Sequence, residues 1–342
     1  MEPCKAASST LLSLLGLLLF LLGGCATIPY DYPRTVSTSL YRPEETRLGK
    51  KIQARVADHQ GASGFYILPA GVDAFAARAL LMDQAEKTLD LQYYLFSDDL
   101  TGKFFLDRII AAAERGVRVR LLLDDWNQSK RRDWWLAVTE AYPNIEVRFF
   151  NPYLGYRSNP LSRPFQMVFG SPRVRGRMHN KAFIVDNCAA VVGGRNIADE
   201  YFGASGGFNF HDIDVLALGP VARQISAVFD DYWNCVLAVP LKALMPGRPT
   251  EDDLQSARLH LEAQRAALKK STYWLKVQQG DLLKRVEAGK LPLVWARADV
   301  LADAPLKCMS WDAPEKSAKM ALQLRAFLEE AQLEILMVSP YF

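Results

Sequence analysis

One twenty-residue stretch, Arg177–Asn196, restricts the fold of this chain more than any other part of the sequence. Two apolar runs rich in Val and Ile flank the polar pair Asp186-Asn187. A two-residue turn at this pair aligns Val185 with Cys188, and the pattern predicts a β-hairpin. The hairpin returns the glycine-rich end of the stretch to the side of its first residues.

The open end of this hairpin carries residues that suit chemistry on a phosphodiester. His179 and Lys181 are two apart, so on a strand they share a face. The predicted pairing places His179 opposite Gly194 and brings Asn196 close to it, while Gly193 and Gly194 leave room beside the imidazole. Lys181 and Asn196 are suited to hold phosphate oxygens, and His179 to attack or to move a proton.

Asp186 stands apart from that group. It follows His179 by seven residues, and at roughly 3.3 Å per strand residue it is too far away to touch the imidazole within this hairpin. Its local interpretation is structural: it caps the turn or pairs with a neighbouring cation.

The stretch resembles the signature of the phospholipase D superfamily, H-x-K-x4-D-x6-G-G-x-N, with no departure in spacing. The matching residues are His179, Lys181, Asp186, Gly193, Gly194 and Asn196. The resemblance implies that His179, Lys181 and Asp186 form the catalytic set. In this family an acidic residue at the start of a later strand orients the histidine. The predicted residue for that role is Asp212, and Asp214, on the same face, is the alternative.

Composition limits the class of protein. The chain has 342 residues, of which 50% are hydrophobic, enough for a large core and more than one domain. A formal charge of +3 is too small to indicate a nucleic-acid partner. The four His and five Cys lack paired metal-ligand spacing, so neither a metal nor a cofactor is predicted. A Cys188–Cys235 disulfide in an oxidising compartment is left open.

The first residues predict a targeting segment. Lys5 precedes the apolar run Leu11–Leu22, whose length is typical of a signal peptide and short for a membrane span. The sequence Leu-Gly-Gly-Cys that ends at Cys25 resembles a bacterial lipobox, which implies cleavage before Cys25 and lipid (palmitate among it) on that residue. This predicts a lipid-anchored protein of the bacterial envelope that faces the periplasm. Ala26 after the cysteine favours the outer membrane. An uncleaved signal anchor is the alternative.

Strands and helices alternate after Leu48. The predicted strands are Gly64–Leu68, Leu89–Leu95, Val117–Leu123 and Ile145–Phe150, and the predicted helices are Val72–Lys87, Gly102–Arg115 and Arg131–Tyr142. A short helix at Ile197–Phe202, a strand from Ile213 and a helix at Pro220–Val236 follow the hairpin. This order predicts an α/β/α sandwich of the phospholipase D type with a mostly parallel central sheet.

Two polar segments near the predicted site have open interpretations. Asp124 and Asp125 end a strand, and in α/β folds such ends face the site, so both are candidates for the pocket edge. The loop Asn151–Gly176 and the residue after it are rich in arginine, with Arg163, Arg173, Arg175 and Arg177 among them. This basic loop either holds an anionic head group or is simply solvated.

The domain boundaries follow from these patterns. They are a lipoprotein signal peptide (1–25), a flexible tether (26–47), a first phospholipase D-like lobe (48–245), a helical connector (246–290) and the start of a second lobe (291–342). The last twelve residues, Ala331–Phe342, align with Ala85–Phe96 at an offset of 246 (331 − 85). A repeat at that offset predicts a second His-x-Lys motif beyond residue 342. We therefore expect a truncated chain whose second motif comes from a missing C-terminal lobe or, alternatively, from a homodimer.

Three segments, RMHNKAFIVD, GGRNIADEYF and DIDVLALGPV, are similar to bacterial cardiolipin synthases, particularly those of the C type. The similarity implies a phosphatidyltransferase in which His179, or its missing counterpart, forms a phosphatidyl-histidine. Phosphatidylglycerol or phosphatidylethanolamine is then the donor, phosphatidylglycerol the acceptor, and a membrane surface the setting. Water as acceptor gives a phospholipase D. The alternatives are another phosphodiesterase, such as a nuclease, and a non-catalytic lipid-anchored remnant.

Overall fold

The computed structural model describes residue 28 and residues 30–126, 129–153, 176–245, 247–288, 290–309 and 319–335. Several predicted features lie outside these residues: the signal peptide with Cys25, the arginines Arg163, Arg173 and Arg175, and most of the final predicted strand. Every helix among the described residues is too short or too polar to span a bilayer.

The described residues contain nine strands in one sheet and eleven α-helices. The strands are β1 (Ser63–Leu68), β2 (Thr88–Tyr93), β3 (Arg118–Asp124), β4 (Ile145–Phe150), β5 (Ala182–Val185), β6 (Ala189–Gly193), β7 (Asp214–Leu218), β8 (Ala238–Pro240) and β9 (Val294–Ala296). The helices are α1 (Arg47–Ala57), α2 (Gly71–Gln84), α3 (Leu100–Glu114), α4 (Lys130–Thr139), α5 (Asp199–Phe202), α6 (Pro220–Trp233), α7 (Leu241–Leu244), α8 (Glu251–Lys269), α9 (Thr272–Gln278), α10 (Asp281–Glu287) and α11 (Lys319–Glu329).

The sheet is mixed, so the predicted α/β class is confirmed but its mostly parallel character is wrong. The strand order is β8-β4-β3-β2-β5-β6-β7-β1-β9. In the described sheet, β2–β3 and β3–β4 pair in parallel and the other six pairs are antiparallel. Helices α3 and α4 carry the chain back to the start of the next strand, which makes β2, β3 and β4 parallel. The β5–β6 hairpin and β7 then enter between β2 and β1 and give antiparallel neighbours.

The hairpin forms at the predicted place with a register shifted by one residue. Val185 pairs with Ala189 and Ala182 with Val192, so the predicted pairing of Val185 with Cys188 is wrong. The turn holds three residues, and the first two, Asp186 and Asn187, have positive φ angles of 48° and 51°. After these two left-handed residues, one further residue precedes the first pair of the ladder. Each residue of β5 therefore pairs with a residue one position later in β6 than a two-residue turn would give.

Helices cover both faces of the sheet. Helices α2, α3 and α4 pack on one face, where α8 and α9 also contribute to the core, through Leu261 and Tyr273 among others. Helix α6 covers the other face, where Phe229 and Trp233 pack with Ile184 and Ala217. Both thiols in the described core, those of Cys188 and Cys235, are free, so the disulfide considered above does not form here.

An N-terminal strap, residues 34–40, lies against the domain instead of forming a flexible tether. Its backbone carbonyls accept hydrogen bonds from three guanidinium groups, of which those of Arg120 and Arg148 are buried: Arg148 Nη2 donates to Thr35 O (2.8 Å), Arg120 Nη1 to Ser37 O (2.9 Å) and Arg118 Nη1 to Thr38 O (2.7 Å). At the end of the strap, Asn187 Nδ2 donates to Leu40 O (2.7 Å). The sequence shows no periodicity here, and partners at least 80 residues away hold the segment.

The segment after residue 245 also packs on the first lobe. In the predicted connector, Arg265 of α8 pairs with Asp107 of α3 at 3.0 Å, and Tyr273 Oη donates to Phe202 O at 3.2 Å. Strand β9 lies in the region predicted to begin a second lobe, yet it pairs antiparallel with β1, and the ring of Trp295 stacks on His59 at 3.9 Å between centroids. Strand β9 therefore extends the sheet of the first lobe.

Candidate active site

The site lies where the carboxyl ends of β2, β3 and β4 meet the open end of the β5–β6 hairpin. Strands β2, β3 and β4 run in one direction, so the residues that follow them gather at one edge. Strand β5 runs against β2, so the residues that precede β5, 176–181, reach the same edge. They form no regular strand, although the prediction placed His179 and Lys181 on one.

His179 and Lys181 lie together, as their spacing predicts. Lys181 Nζ lies 3.3 Å from His179 Nδ1 and donates to the carbonyl of His179 at 2.8 Å. The ring of Tyr94, just after β2, contacts the imidazole at 4.7 Å between centroids and lies 5.7 Å from Lys181 Nζ. His179 is exposed and Lys181 is buried, so the imidazole is accessible and the ammonium stands behind it.

The surroundings adjust the charge of both groups. Partial burial, and then the charge of Lys181, lower the pKa of His179 below its ordinary value. Burial lowers the pKa of Lys181 to about 8, while Asp212, Asp214 and Asp124 act in the opposite direction. Near neutral pH this gives an uncharged imidazole, a form that is able to act as a nucleophile, beside an ammonium group, a form that is able to attract phosphate oxygens.

Asp124 fixes the backbone that leads to His179. Its carboxylate accepts a hydrogen bond from Met178 N (2.8 Å) and pairs with the guanidinium of Arg177 (3.0 Å). It also accepts from Trp126 N at 2.8 Å. The side chain is fully buried, and burial raises the pKa of Asp124 to about 7 although Arg177 acts in the opposite direction. Asp125 instead accepts from Tyr153 N at 2.9 Å. Asp124 therefore supports the site from behind.

Asn196 is tied to the end of β2. Its side-chain oxygen accepts from Leu95 N at 3.0 Å, and its amide nitrogen donates to the hydroxyl of Tyr201 at 3.0 Å. Leu95 follows Tyr94, whose ring contacts His179, so these two consecutive residues link Asn196 with His179. One hydrogen of the Asn196 amide is committed to Tyr201 and a second one remains for another acceptor.

A large cavity opens beside the His179–Lys181 pair. Its volume is about 1060 Å³, and its walls come from the α6 face of the sheet, from α6 itself and from residues 298–305. The apolar lining includes Phe65, Phe150, Val215, Ile225 and Val300. The polar pair at its rim and the apolar interior suit an amphiphilic ligand.

Comparisons of the sequence with known proteins identify related domains. Residues 80–233 match the family described as "Cardiolipin synthase, PLD-like domain". The chain is 39% identical over 264 residues to Cardiolipin synthase C of Escherichia coli, covering 76% of this chain and 54% of that protein. It is 33% identical over 325 residues to an uncharacterized protein of Helicobacter pylori, covering 94% of this chain and 63% of that one. Residues 80–233 form a phospholipase D-like domain.

The match concerns part of the relatives' length, since this chain spans little more than half of Cardiolipin synthase C. Among solved structures, the phospholipase D family member Nuc of Salmonella typhimurium shares 18% identity at a TM-score of 0.36, covering 52% of this chain and 96% of that one. NucT of Helicobacter pylori shares 16% identity at a TM-score of 0.38, covering 52% and 98%.

Within this phospholipase D-like domain, Asp186 has a structural place. Its carboxylate is fully buried and accepts hydrogen bonds from the backbone N–H groups of Glu86 (3.0 Å), Lys87 (2.8 Å) and Thr88 (2.8 Å). These residues lead into β2, at the end remote from His179. Asp186 therefore has a structural role of the kind that its local sequence predicts, and its partners are the backbone N–H groups at the start of β2.

Asp212 and Asp214 lie at the other wall of the site. An ideal Cβ on Gly194 would lie 1.8 Å from Asp212 Oδ1, so the absence of a side chain at Gly194 makes room for that carboxylate. The Asp212 carboxylate interacts electrostatically with Lys181 and Arg195. Within the described part of the chain, Asp212 forms no hydrogen bond or ion pair with His179, although the sequence predicts such a contact. Asp214, the alternative, is fully buried and pairs with Arg78 at 2.9 Å.

The sequence did not reveal the parts of the site that come from distant segments. Tyr94 contacts His179, Tyr201 contacts Asn196, and Arg177 is paired with Asp124. The position of Tyr94 at the end of β2 is the signal that could have identified it, because such ends face the site. Among the described residues, no group of His, Cys, Asp and Glu is arranged to hold a metal ion.

Proposed function

We propose that this protein is a phosphatidyltransferase that makes cardiolipin and uses His179 as its nucleophile. One observation carries the proposal: an uncharged imidazole and a buried ammonium lie together at the rim of an apolar cavity, in a domain that matches cardiolipin synthases. The donor is phosphatidylglycerol or phosphatidylethanolamine, and the acceptor is phosphatidylglycerol.

The reaction takes two displacement steps. In the first, a ring nitrogen of His179 attacks phosphorus, a nitrogen–phosphorus bond forms, and the bond to the head-group oxygen breaks. The departing alcohol takes a proton from a general acid. In the second, the hydroxyl of phosphatidylglycerol attacks the same phosphorus, gives its proton to that general acid in its basic form, and displaces His179. Lys181 stabilises the negative charge on the phosphate oxygens in both steps.

The general acid is proposed to come from a second His-x-Lys half. His179 serves as nucleophile and cannot protonate the alcohol in the same step, so a second imidazole is required. A C-terminal lobe or a second copy of the chain supplies it. Lipidation at Cys25 is proposed as well, in an envelope location facing the periplasm, because it would keep the site at the surface that contains the substrate.

Incubation of the purified chain with vesicles that contain labelled phosphatidylglycerol tests this proposal. We expect labelled cardiolipin from the wild type, none from His179→Ala, and normal product from His260→Ala. His260 lies on α8 with its ring against Trp135, 5.2 Å between centroids, and is the matched control. Turnover that begins only when a second His-x-Lys half is added also supports the proposal. No cardiolipin in either condition contradicts it.

Hydrolysis is the second candidate, since water can take the place of the acceptor lipid. The exposed position of His179 favours it, because water reaches the imidazole directly. Phosphatidic acid as sole product, again lost in His179→Ala, identifies a phospholipase D. A nuclease is disfavoured by the mainly apolar cavity wall, which suits acyl chains better than nucleotides.

A further inference from the structure

A short loop beside the site holds large apolar side chains in water. Residues 203–211, which we call the aromatic loop, connect α5 to the segment that enters strand β7. Phe208 is 69% exposed and Phe210 is 45% exposed, and Ile213, just after the loop, is 61% exposed. Exposed apolar side chains that cluster in this way mark surfaces that meet an apolar partner.

The loop is fixed in this position by its own contacts. Phe210 N donates to Glu200 O at 2.8 Å, and Asn209 Nδ2 donates to Ser205 O at 3.2 Å. The rings of Phe208 and Phe210 meet edge to face at 4.9 Å between centroids. The rings are therefore presented to solvent by an ordered backbone.

The aromatic loop is joined to the candidate active site by a chain of contacts. The ring of Phe210 stacks on Tyr201 at 4.7 Å between centroids, and the Tyr201 hydroxyl accepts from Asn196 at 3.0 Å. Directly after the loop, Asp212 lies against Gly194. An apolar partner that covers Phe208 and Phe210 is thus placed next to the phosphate-binding group.

We propose that Phe208, Phe210 and Ile213 form a lipid-docking surface that enters the outer apolar layer of a phospholipid bilayer and brings head groups to His179. This rests on the proposed function, because it takes the substrate to be a membrane lipid. Residues 203–210, GASGGFNF, contain no charged side chain, so their entry dehydrates no ion. Aromatic rings are favoured at the boundary between head groups and acyl chains.

Fluorescence quenching by brominated acyl chains tests the contact locally. The full chain carrying Phe208→Trp is mixed with phosphatidylcholine vesicles whose acyl chains are brominated. We expect an additional quenched emission relative to wild type, and no additional quenching for Leu259→Trp on α8, a position 62% exposed. Equal quenching of the two variants overturns the proposal. The readout belongs to one residue, so vesicle binding by the N-terminal apolar segment does not affect it.

The double variant Phe208→Ser/Phe210→Ser provides a second measurement. We expect its turnover on vesicles to fall at least about tenfold, since two phenyl rings lose their burial in lipid. Turnover of a dispersed short-chain phosphatidylglycerol should fall much less than turnover on vesicles. The control Leu259→Ser/Leu275→Ser should match wild type on both substrates. An equal loss on dispersed and vesicular lipid overturns the docking role.

The outcomes separate this inference from the proposed function. A chain that turns over neither substrate but shows quenching in the Phe208→Trp variant refutes the enzyme assignment and supports the docking surface. Quenching that disappears at high ionic strength overturns the inference, because apolar insertion is insensitive to screening. If the double variant instead has a reduced oligomeric mass in light scattering and the Phe208→Trp variant shows no additional quenching, a second copy covers the loop and the proposal is wrong.

Discussion

At the scale of single residues, the site depends on the different protonation of two neighbouring side chains. His179 and Lys181 are close enough to interact directly, and the charge of Lys181 makes protonation of His179 less favourable. Burial lowers the pKa of both groups. Near neutral pH the imidazole is therefore neutral and the ammonium charged.

The first prediction concerns the pH dependence of kcat/KM. As pH falls through the lowered pKa of His179, the imidazole gains a proton and can no longer attack, so the rate falls. As pH rises through about 8, Lys181 loses its charge and the rate falls again. We expect a bell-shaped profile in wild type and an alkaline limb shifted upward in Lys181→Arg. An alkaline limb that stays near 8 in Lys181→Arg would assign it to another group.

The second prediction separates two roles of Asn196. Replacing Asn196 by Ala leaves the partly buried Leu95 N–H without its acceptor, which costs about 1–3 kcal/mol of unfolding free energy. Loss of a donor to the phosphate adds about 2.7–4 kcal/mol to the reaction barrier. Tyr201→Phe removes one partner of the amide and should lower stability by about 1 kcal/mol. Urea unfolding and turnover measure both effects; an Asn196→Ala variant with wild-type stability would contradict the hydrogen bond to Leu95.

At the scale of elements, the β5–β6 hairpin was predictable in place and approximate in detail. Its apolar runs and polar turn identify both strands, since alternation and turn residues are local properties. Its register was not predictable from the pair Asp186-Asn187, because the ladder resumes one residue later than the two-residue turn requires. The strands that flank the hairpin were not predictable either, because no local feature of the sequence near β5 indicates that the hairpin enters the sheet between β2 and β1.

The third prediction concerns the turn of that hairpin. Asp186→Ala removes the acceptor of three backbone N–H groups, and each donor left buried and unpaired costs about 1–3 kcal/mol. We expect a large decrease in the melting temperature. Asp186→Asn keeps one oxygen and should lose less.

The activity of these variants, measured below their melting temperatures, distinguishes the structural role from a catalytic one. Because Asp186 binds the start of β2 and not His179, the folded fraction of each variant should keep kcat within a few-fold of wild type. A normal melting curve together with lost turnover would show that Asp186 takes part in the reaction.

At the scale of the whole molecule, contacts over long sequence distances decide what belongs to the domain. The order of strands and helices gave the α/β class because each element has its own periodicity. The N-terminal strap has none. It is held by Arg118, Arg120 and Arg148, and these contacts cannot be read from the sequence of the strap. The sequence likewise predicts a connector and a new lobe after residue 245, although α8 packs on the first lobe and β9 extends the first sheet.

The fourth prediction tests the strap. A variant that starts at Tyr41 leaves the guanidinium groups of Arg120 and Arg148 without the carbonyls of Ser37 and Thr35. Hydrogen bonds to charged groups contribute about 1.5–3 kcal/mol each, so its unfolding midpoint in urea should fall clearly. A variant that starts at Arg34 keeps all these contacts and should have a clearly higher midpoint than the variant that starts at Tyr41. Equal midpoints for the two variants would mean that the strap contributes no stability.

The course of the strap has a consequence for how the domain stands at a membrane. Arg34 donates to Val236 O and to Ala238 O, and Ala238 pairs with Phe150 at the catalytic edge of the sheet. Leu40 reaches the opposite edge, at Asn187. The chain therefore departs from the domain on the side of His179. Ile28 is buried and Tyr30 packs against the core, so a fatty anchor on Cys25 would leave a linker of three residues (28 − 25), about 10 Å at full stretch. Such a short linker would keep the side of the domain that carries His179 facing the bilayer and would restrict rotation of the domain.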